Sequence, residues 1–166
     1  TSFVSISGCS FFTESMQQHA IDNSYSDVRI GDSEFFDEGG SPMAAIYCAG
    51  TGGSSDYPIL ELSNVNINGF ATGVRHQSSS GGILITGCMI EKNSGTGVQG
   101  GGIYVNGSTS FDLSHTTIRD NQSDTLGGGI YIASAPAVII QNCAISNNTA
   151  GNYGGGLLIT ESNVTI

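Results

Sequence analysis

From Gly100 onward the apolar residues come in pairs, one position apart, and the pairs recur. Ile103/Val105, Phe111/Leu113 and Thr116/Ile118 are followed by Ile130/Ile132, Val138/Ile140 and Cys143/Ile145, then by Leu157/Ile159 and Val164/Ile166. Gly triplets at 100–102, 127–129 and 154–156 start 27 residues apart. Alternation with period two means strands, because successive side chains on a strand point to opposite faces. A strand with two or three inward residues cannot bury its face alone, but it can when equivalent strands stack above and below it. Three short strands per 27 residues, joined by sharp turns, predict one coil of a parallel β-helix.

The same template runs back to the start of the chain. A first strand type is read at Ile21/Asn23, Ile46/Cys48 and Val74/His76 before the regular copies. A second is read at Val4/Ile6, Val28/Ile30, Leu60/Leu62 and Ile83/Ile85, and a third at Cys9/Phe11, Ser33/Phe35, Val65/Ile67 and Cys88/Ile90. The step from second strand to third is always five residues, whereas the other connections vary. The expectation is one all-β domain over 1–166, with about six coils of roughly 23–32 residues, irregular over 1–80 and regular over 81–166. At roughly 4.8 Å per coil the rod is about 29 Å long. Helix is nearly absent, with one turn expected within 13–20. Both ends fall inside a coil without a polar cap, which favours a segment of a longer protein over ends that stack on neighbours.

Asn93, Asn121 and Asn148 each lie three residues after the last apolar residue of a third-type strand. Stacked Asn side chains can exchange amide hydrogen bonds from coil to coil. Glu14, Glu38 and Phe70 hold that column earlier, so the ladder covers part of the rod.

The segments ISNNTAGNYGGGLLI and IRDNQSDTLGGGIYI combine Ile-x-x-Asn with a Gly-rich connection and Gly-Gly-Gly-[Ile/Leu]. They resemble the passenger repeats of the polymorphic outer membrane proteins, with Ile90, Ile118 and Ile145 where that family has Phe, and a third Gly where it has Ala. The resemblance covers about 81–166. It implies a right-handed, single-stranded parallel β-helix that is secreted and displayed at a surface, with adhesive or structural work and no catalytic residue to carry over.

Composition agrees with a packed β-rod: 25 Gly, 3 Pro, no Trp and 11% charged residues. No apolar run is long enough for a membrane-spanning helix. No signal peptide is visible at the N-terminus. The net charge is −10, with Arg29, Arg75, Lys92 and Arg119 as the basic residues. Four cations are too few for a phosphate-binding track, which argues against nucleic acid and against an anionic membrane. Cys9, Cys88 and Cys143 share an inward column but never in adjacent coils, and Cys48 sits in another. The closest two would be roughly 10 Å apart at that coil spacing, beyond disulfide reach. Four buried free thiols acting as small apolar residues are expected.

Asn106, Asn121, Asn147 and Asn163 open Asn-x-Ser/Thr sequons. Asn121 belongs to the ladder, which leaves Asn106, Asn147 and Asn163 as outward glycosylation candidates. Asp32, Glu34, Asp37 and Glu38, near Asp56 and Glu61 of the next coil, could supply oxygens to calcium, though without the Asp-Gly spacing of a known loop. A solvated acidic loop is the plain alternative.

β-helices that cleave acidic polysaccharides need grouped carboxylates, about 5–10 Å apart for hydrolysis. The nearest candidate set is Arg29, Asp32, Glu34 and His19. Asp112, Asp120 and Asp124 have no His or Lys in register, His115 and Glu91–Lys92 lie at turns, and His76 takes a core position. No catalytic residue is assigned and no cofactor is expected, calcium apart. Regular outward Thr arrays for ice binding are also missing.

The outward positions carry the better functional signal. Asp22, Tyr47, Arg75, Tyr104, Tyr131 and Leu158 form one row on the first sheet, and Leu84 and Ile139 lie in the outward row of the second. Exposed aromatic and apolar strips mark partner surfaces or sugar platforms. The expected function is an extracellular or cell-surface structural and adhesive β-helix that contacts copies of itself, other assembly proteins or glycans. The alternative is a carbohydrate-binding or polysaccharide-cleaving β-helix of lyase or hydrolase type.

Overall fold

The computed structural model describes residues 3–14, 18–24, 26–39, 43–50, 59–79 and 81–166. All strands pair in parallel and form a solenoid. The first sheet stacks Ile21–Asn23, Ala44–Gly50, Thr72–Ser78, Ile103–Asn106, Ile130–Ala133 and Leu157–Thr160. The second stacks Phe3–Ser7, Asp27–Gly31, Leu60–Ser63, Gly82–Thr86, Ser110–Ser114, Val138–Gln141 and Val164–Thr165. The third stacks Ser10–Thr13, Glu34–Asp37, Asn66–Asn68, Met89–Glu91, Thr117–Arg119 and Ala144–Ser146. Every column read from the sequence is in register, for example Ile83 with Phe111 and Ile90 with Ile118. No helix occurs among the described residues. The helical turn expected within 13–20 centres on residues 15–17, outside them.

The core is the stack of inward pairs, one cluster running the length of the rod. Phe35, Ile67, Ile90 and Ile118 continue one column, and Phe111 and Leu113 fill the second sheet's inner face. Phe11 stacks on Phe35 with ring centroids 4.5 Å apart and planes 3° from parallel. Each such side chain contributes about 1.5–3 kcal/mol of burial, which none of these two-residue faces could gain unstacked.

The constant five-residue step has a backbone cause. The corner between second and third strands is a single left-handed residue in every coil: Gly8, Asp32, Asn64, Gly87, His115 and Asn142, with φ between 47° and 64°. Asn, Asp and Gly tolerate this conformation best. Lys92, Asp120 and Asn147 repeat the device after the third strand, and Ser134 and Glu161 before the second.

The residue after the second-to-third corner carries a second device. Cys88 Sγ donates to Thr86 O, Thr116 Oγ1 to Ser114 O, and Ser33 Oγ to Gly31 O. The same Sγ and Oγ atoms accept backbone N–H groups from the preceding coil: Val65 onto Cys88, Cys88 onto Thr116, Cys9 onto Ser33. The cysteines of this column are therefore corner hydrogen-bonding groups, interchangeable with Ser and Thr, and not simply small apolar fillers. All four cysteines are free. Cys48 and Cys88 are buried, and burial pushes both thiols up to about 11. Cys9 is exposed and Cys143 half-buried, against the expectation of four buried thiols, because their columns have little chain stacked beyond them.

A fourth, narrow sheet was not foreseen: Ser94–Gly95, Gln122–Ser123 and Thr149–Ala150. It follows directly on the Asn column. Asn121 Oδ1 accepts from Asn93 N and Nδ2 at 3.0 and 2.9 Å, and Asn148 Oδ1 accepts from Asn121 N and Nδ2 at 2.9 and 3.0 Å. Asn93 Oδ1 accepts from Phe70 N, so the ladder ends against the aromatic occupant of the previous coil. Each Asn also donates to the last inward residue of the coil behind it: Asn121 to Ile90 O and Asn148 to Ile118 O.

Candidate functional site

Side chains that can meet a ligand or partner project from the outer faces of three sheets. On the first sheet the row Asp22, Tyr47, Arg75, Tyr104, Tyr131, Leu158 is in register. It is not an open strip, however. Tyr104 is only 5% exposed, and Tyr47, Tyr131 and Leu158 are half-buried. The Arg75 guanidinium lies 4.3 Å from the Tyr104 ring centroid, the Tyr131 ring stacks 5.5 Å away on the other side, and Asn106 Nδ2 donates to Tyr104 Oη. The Gly-rich connection completes the cover: a Cβ on Gly100 would lie 2.8 Å from Tyr104 Cα. Connections that fold back over their own strand are invisible to a period-two pattern.

The lower half of this row opens into a cavity of about 300 Å³ lined by His19, Met43, Ala44, Tyr47, Ala71, Thr72, Arg75, Gln77 and Val98. His19 stacks on Tyr47 with centroids 4.4 Å apart. Gln77 Oε1 accepts from Arg75 Nε at 3.2 Å and from Tyr47 Oη at 3.4 Å. His19 Nδ1 lies 3.1 Å from Ala44 N, from which it can accept, and 3.3 Å from Ala44 O, to which it can donate, so the tautomer selects the partner. Burial is the main influence on His19 and lowers its pKa. The sign follows: with the folded value depressed below the unfolded ~6.5, the unfolded chain binds more proton on acidification. Stability from this group is complete above pH ~6.5 and declines as pH falls toward the folded value. We expect the melting temperature to drop between pH 7 and pH 5 by less in His19→Phe than in the parent. Identical drops would rule out this coupling.

On the second sheet Leu84 (38% exposed) and Ile139 (41% exposed) flank Asp112. Further along the row Arg29 pairs with Glu61. On the third sheet Phe12, Phe36 and Met89, absent from the sequence reading, line a groove of about 360 Å³ together with Glu34, Asn66, Asn68 and Glu91. Phe12 is 69% exposed and meets Phe36 edge-on. The signal was available: in SFFT and EFFD the first Phe takes the inward column and the second must point out.

The acidic candidates are not brought together. Asp32 is a corner residue held by Asn64 Nδ2 at 3.1 Å, Glu34 stands on the third sheet's outer face, Asp37 is buried and accepts from Thr13 Oγ1 at 2.7 Å, and Glu38 is exposed. Among the described residues no group of three His, Cys, Asp or Glu is placed to hold a metal ion. Asp56 lies outside them. The set Arg29, Asp32, Glu34 and His19 is likewise spread, with Arg29 on Glu61 and His19 on Tyr47. His76 is wholly buried in the core column between Cys48 and Val105. Asn106, Asn147 and Asn163 are exposed, whereas Asn121 is buried.

Residues 44–166 match the family model described as right handed beta helix region. No curated protein and no solved structure matches significantly. The matched span covers most of the chain and contains five of the seven second-sheet strands, the Asn ladder and all three Gly triplets. With parallel sheets in continuous register behind that match, the chain belongs to the right-handed β-helix family.

Proposed function

We propose that this β-helix is a structural and adhesive module of an extracellular or cell-surface assembly, docking copies of itself through its flat outer faces. The observation that carries the reading is the third-sheet groove, where the exposed Phe12 and Met89 and the half-buried Phe36 form an apolar surface on a rigid support. Aromatic residues and Met are the types enriched at interface cores, and a ring as open as Phe12 leaves apolar area for a partner to bury. Leu84 and Ile139 add a second such face. The Ile-x-x-Asn and Gly-Gly-Gly repeats, similar to surface-displayed passenger repeats, support the same reading, and exposed sequons at Asn106, Asn147 and Asn163 fit a secreted chain.

A net charge of −10 opposes contact between copies. Added salt screens that repulsion, shrinking the Debye length from ~30 Å at 0.01 M to ~10 Å at 0.1 M. Association is therefore expected to strengthen with salt. In sedimentation velocity the parent should shift toward larger species between 0.01 and about 0.5 M salt. The Phe12→Ser/Leu84→Ser double variant should stay smaller, with a melting temperature within roughly 3 °C of the parent, as for exposed substitutions. A parent that is monomeric at every salt and at high protein concentration would remove the assembly reading.

A further inference from the structure

The basic residues of this acidic chain are not placed alike. Arg29 lies against Glu61, and Arg119 and Lys92 against Glu91. Among the described residues Arg75 is paired with no carboxylate. It is nevertheless held: its Nε donates to Gln77 Oε1 at 3.2 Å and its plane sits over Tyr104. Among the described residues that leaves the terminal Nη edge without a protein acceptor, in the wall of the cavity bounded by Tyr47 and His19. A guanidinium fixed through Nε and one face, with its fork unused, is pre-organised for a planar anion.

A second observation lies in the wall of the same cavity. Thr72, 2% exposed, is among its lining residues, and its Oγ1 has no hydrogen-bond partner among the described residues. A buried hydroxyl left unpaired costs free energy that a ligand oxygen would recover. The volume, about 300 Å³, is at the low end of small-molecule sites, roughly 300–1,000 Å³. Stacked Tyr47 and His19 offer an amphipathic wall.

We propose that this cavity is a binding site for a small carboxylate of about one ring, its carboxylate on the Arg75 Nη fork and a further oxygen on Thr72 Oγ1. One guanidinium matches one carboxylate in charge, whereas a phosphate dianion would bring an uncompensated charge to a chain of net −10. Asp22 lies on the far side of Tyr47 from Arg75 in the strand register, which leaves the fork clear of the nearest acid in its row. The site is on the first sheet and is independent of the outer faces proposed to dock.

The test is titration by NMR at about 0.15 M salt, following the Arg75 Nε–H and Tyr47 ring signals, with glucuronate, benzoate, glucose and inorganic phosphate as probes. Glucuronate or benzoate should shift both signals saturably, and glucose should bind at least about tenfold more weakly, the scale of one charge-assisted hydrogen bond. Preference between the two carboxylates tells a sugar acid from an aromatic acid. Arg75→Gln should lose about tenfold or more in affinity, and Arg75→Lys, which keeps the charge but not the fork, should also weaken binding. Thr72→Val should bind more weakly while remaining at least as stable as the parent, because the unpaired hydroxyl is gone; this variant separates a binding role from a folding role. Equal binding of glucose and glucuronate, tighter binding of phosphate, no shift with either carboxylate, or undiminished affinity in Arg75→Gln would each overturn the proposal.

Discussion

Asn121→Ala is expected to lower stability by about 3–5 kcal/mol, since each buried polar group left unpaired costs roughly 1–3. The loss is large because one side chain serves three neighbours. Its Oδ1 accepts both Asn93 N and Asn93 Nδ2, and its Nδ2 donates to Ile90 O and Asn148 Oδ1. Asn93 and Asn121 are buried, so water does not replace these bonds without opening the coil. For a chain of this length that loss should read as a melting temperature roughly 6–20 °C lower. Asn148→Ala should cost less, because Asn148 is only half-buried and water can reach its former partners. Hydrogen exchange should show the opening centred on the third and fourth sheets. A loss below about 1 kcal/mol for Asn121→Ala would mean that the ladder is a consequence of stacking and not a support for it.

The parts of this fold that were legible are those set by side-chain alternation. The pairs Ile130/Ile132 and Val138/Ile140 announce which residues face inward. Column assignment then fixes register, since a one-residue slip would turn the whole apolar set outward. The Asn ladder was legible for the same reason: its period matches the coil. What escaped depends on groups far apart in sequence meeting in space. Tyr104 looked exposed because nothing in IYVN shows that residues near Gly100 return across it. The Arg75 cavity draws His19, Tyr47, Thr72 and Val98 from four successive coils joined by connections of unequal length, so no spacing rule collects them.

The corner column shows a subtler loss. Cys9, Ser33, Val65, Cys88, Thr116 and Cys143 read as a mixed apolar column, and thiols read as hydrophobes. In the structure the γ-heteroatoms of Ser33, Cys88 and Thr116 tie the corner to the carbonyl two residues back and to an N–H of the preceding coil, and those of Cys9 and Cys143 make the first of these bonds. Val65 is the one member that cannot do this. The common property of the other five is a γ donor and acceptor, which hydropathy hides and which becomes visible when the column is read by atoms.

Gly128→Ala is expected to be severely destabilising, and Gly156→Ala in the polypeptide of residues 1–166 nearly silent, although both stand in a Gly triplet. A Cβ on Gly128 would lie 2.5 Å from Gly155 O and closer still to Thr149 O. Both obstacles are backbone of the next coil, so no side chain can move aside. The coils would have to separate, and the bonds Gly128 N to Gly154 O and Gly129 N to Gly155 O, 3.0 and 2.9 Å long, would stretch with them. Preceding Gly127 adds a conformational requirement, with φ of +61°. Overpacking typically costs about 1–3 kcal/mol where side chains can yield; against two fixed carbonyls we expect about 4 kcal/mol or more, in the exceptional range for a point substitution. In the polypeptide of residues 1–166 a Cβ at Gly156 would meet Ile145 Cγ2 at an ordinary 3.4 Å and no backbone within 4 Å among the described residues, and the cost there should stay below about 1 kcal/mol. Urea unfolding of the two variants side by side decides the matter. If both lose the same stability, the triplet acts through chain flexibility; if only Gly128→Ala collapses, the triplet is there because two backbones pass too close for a side chain.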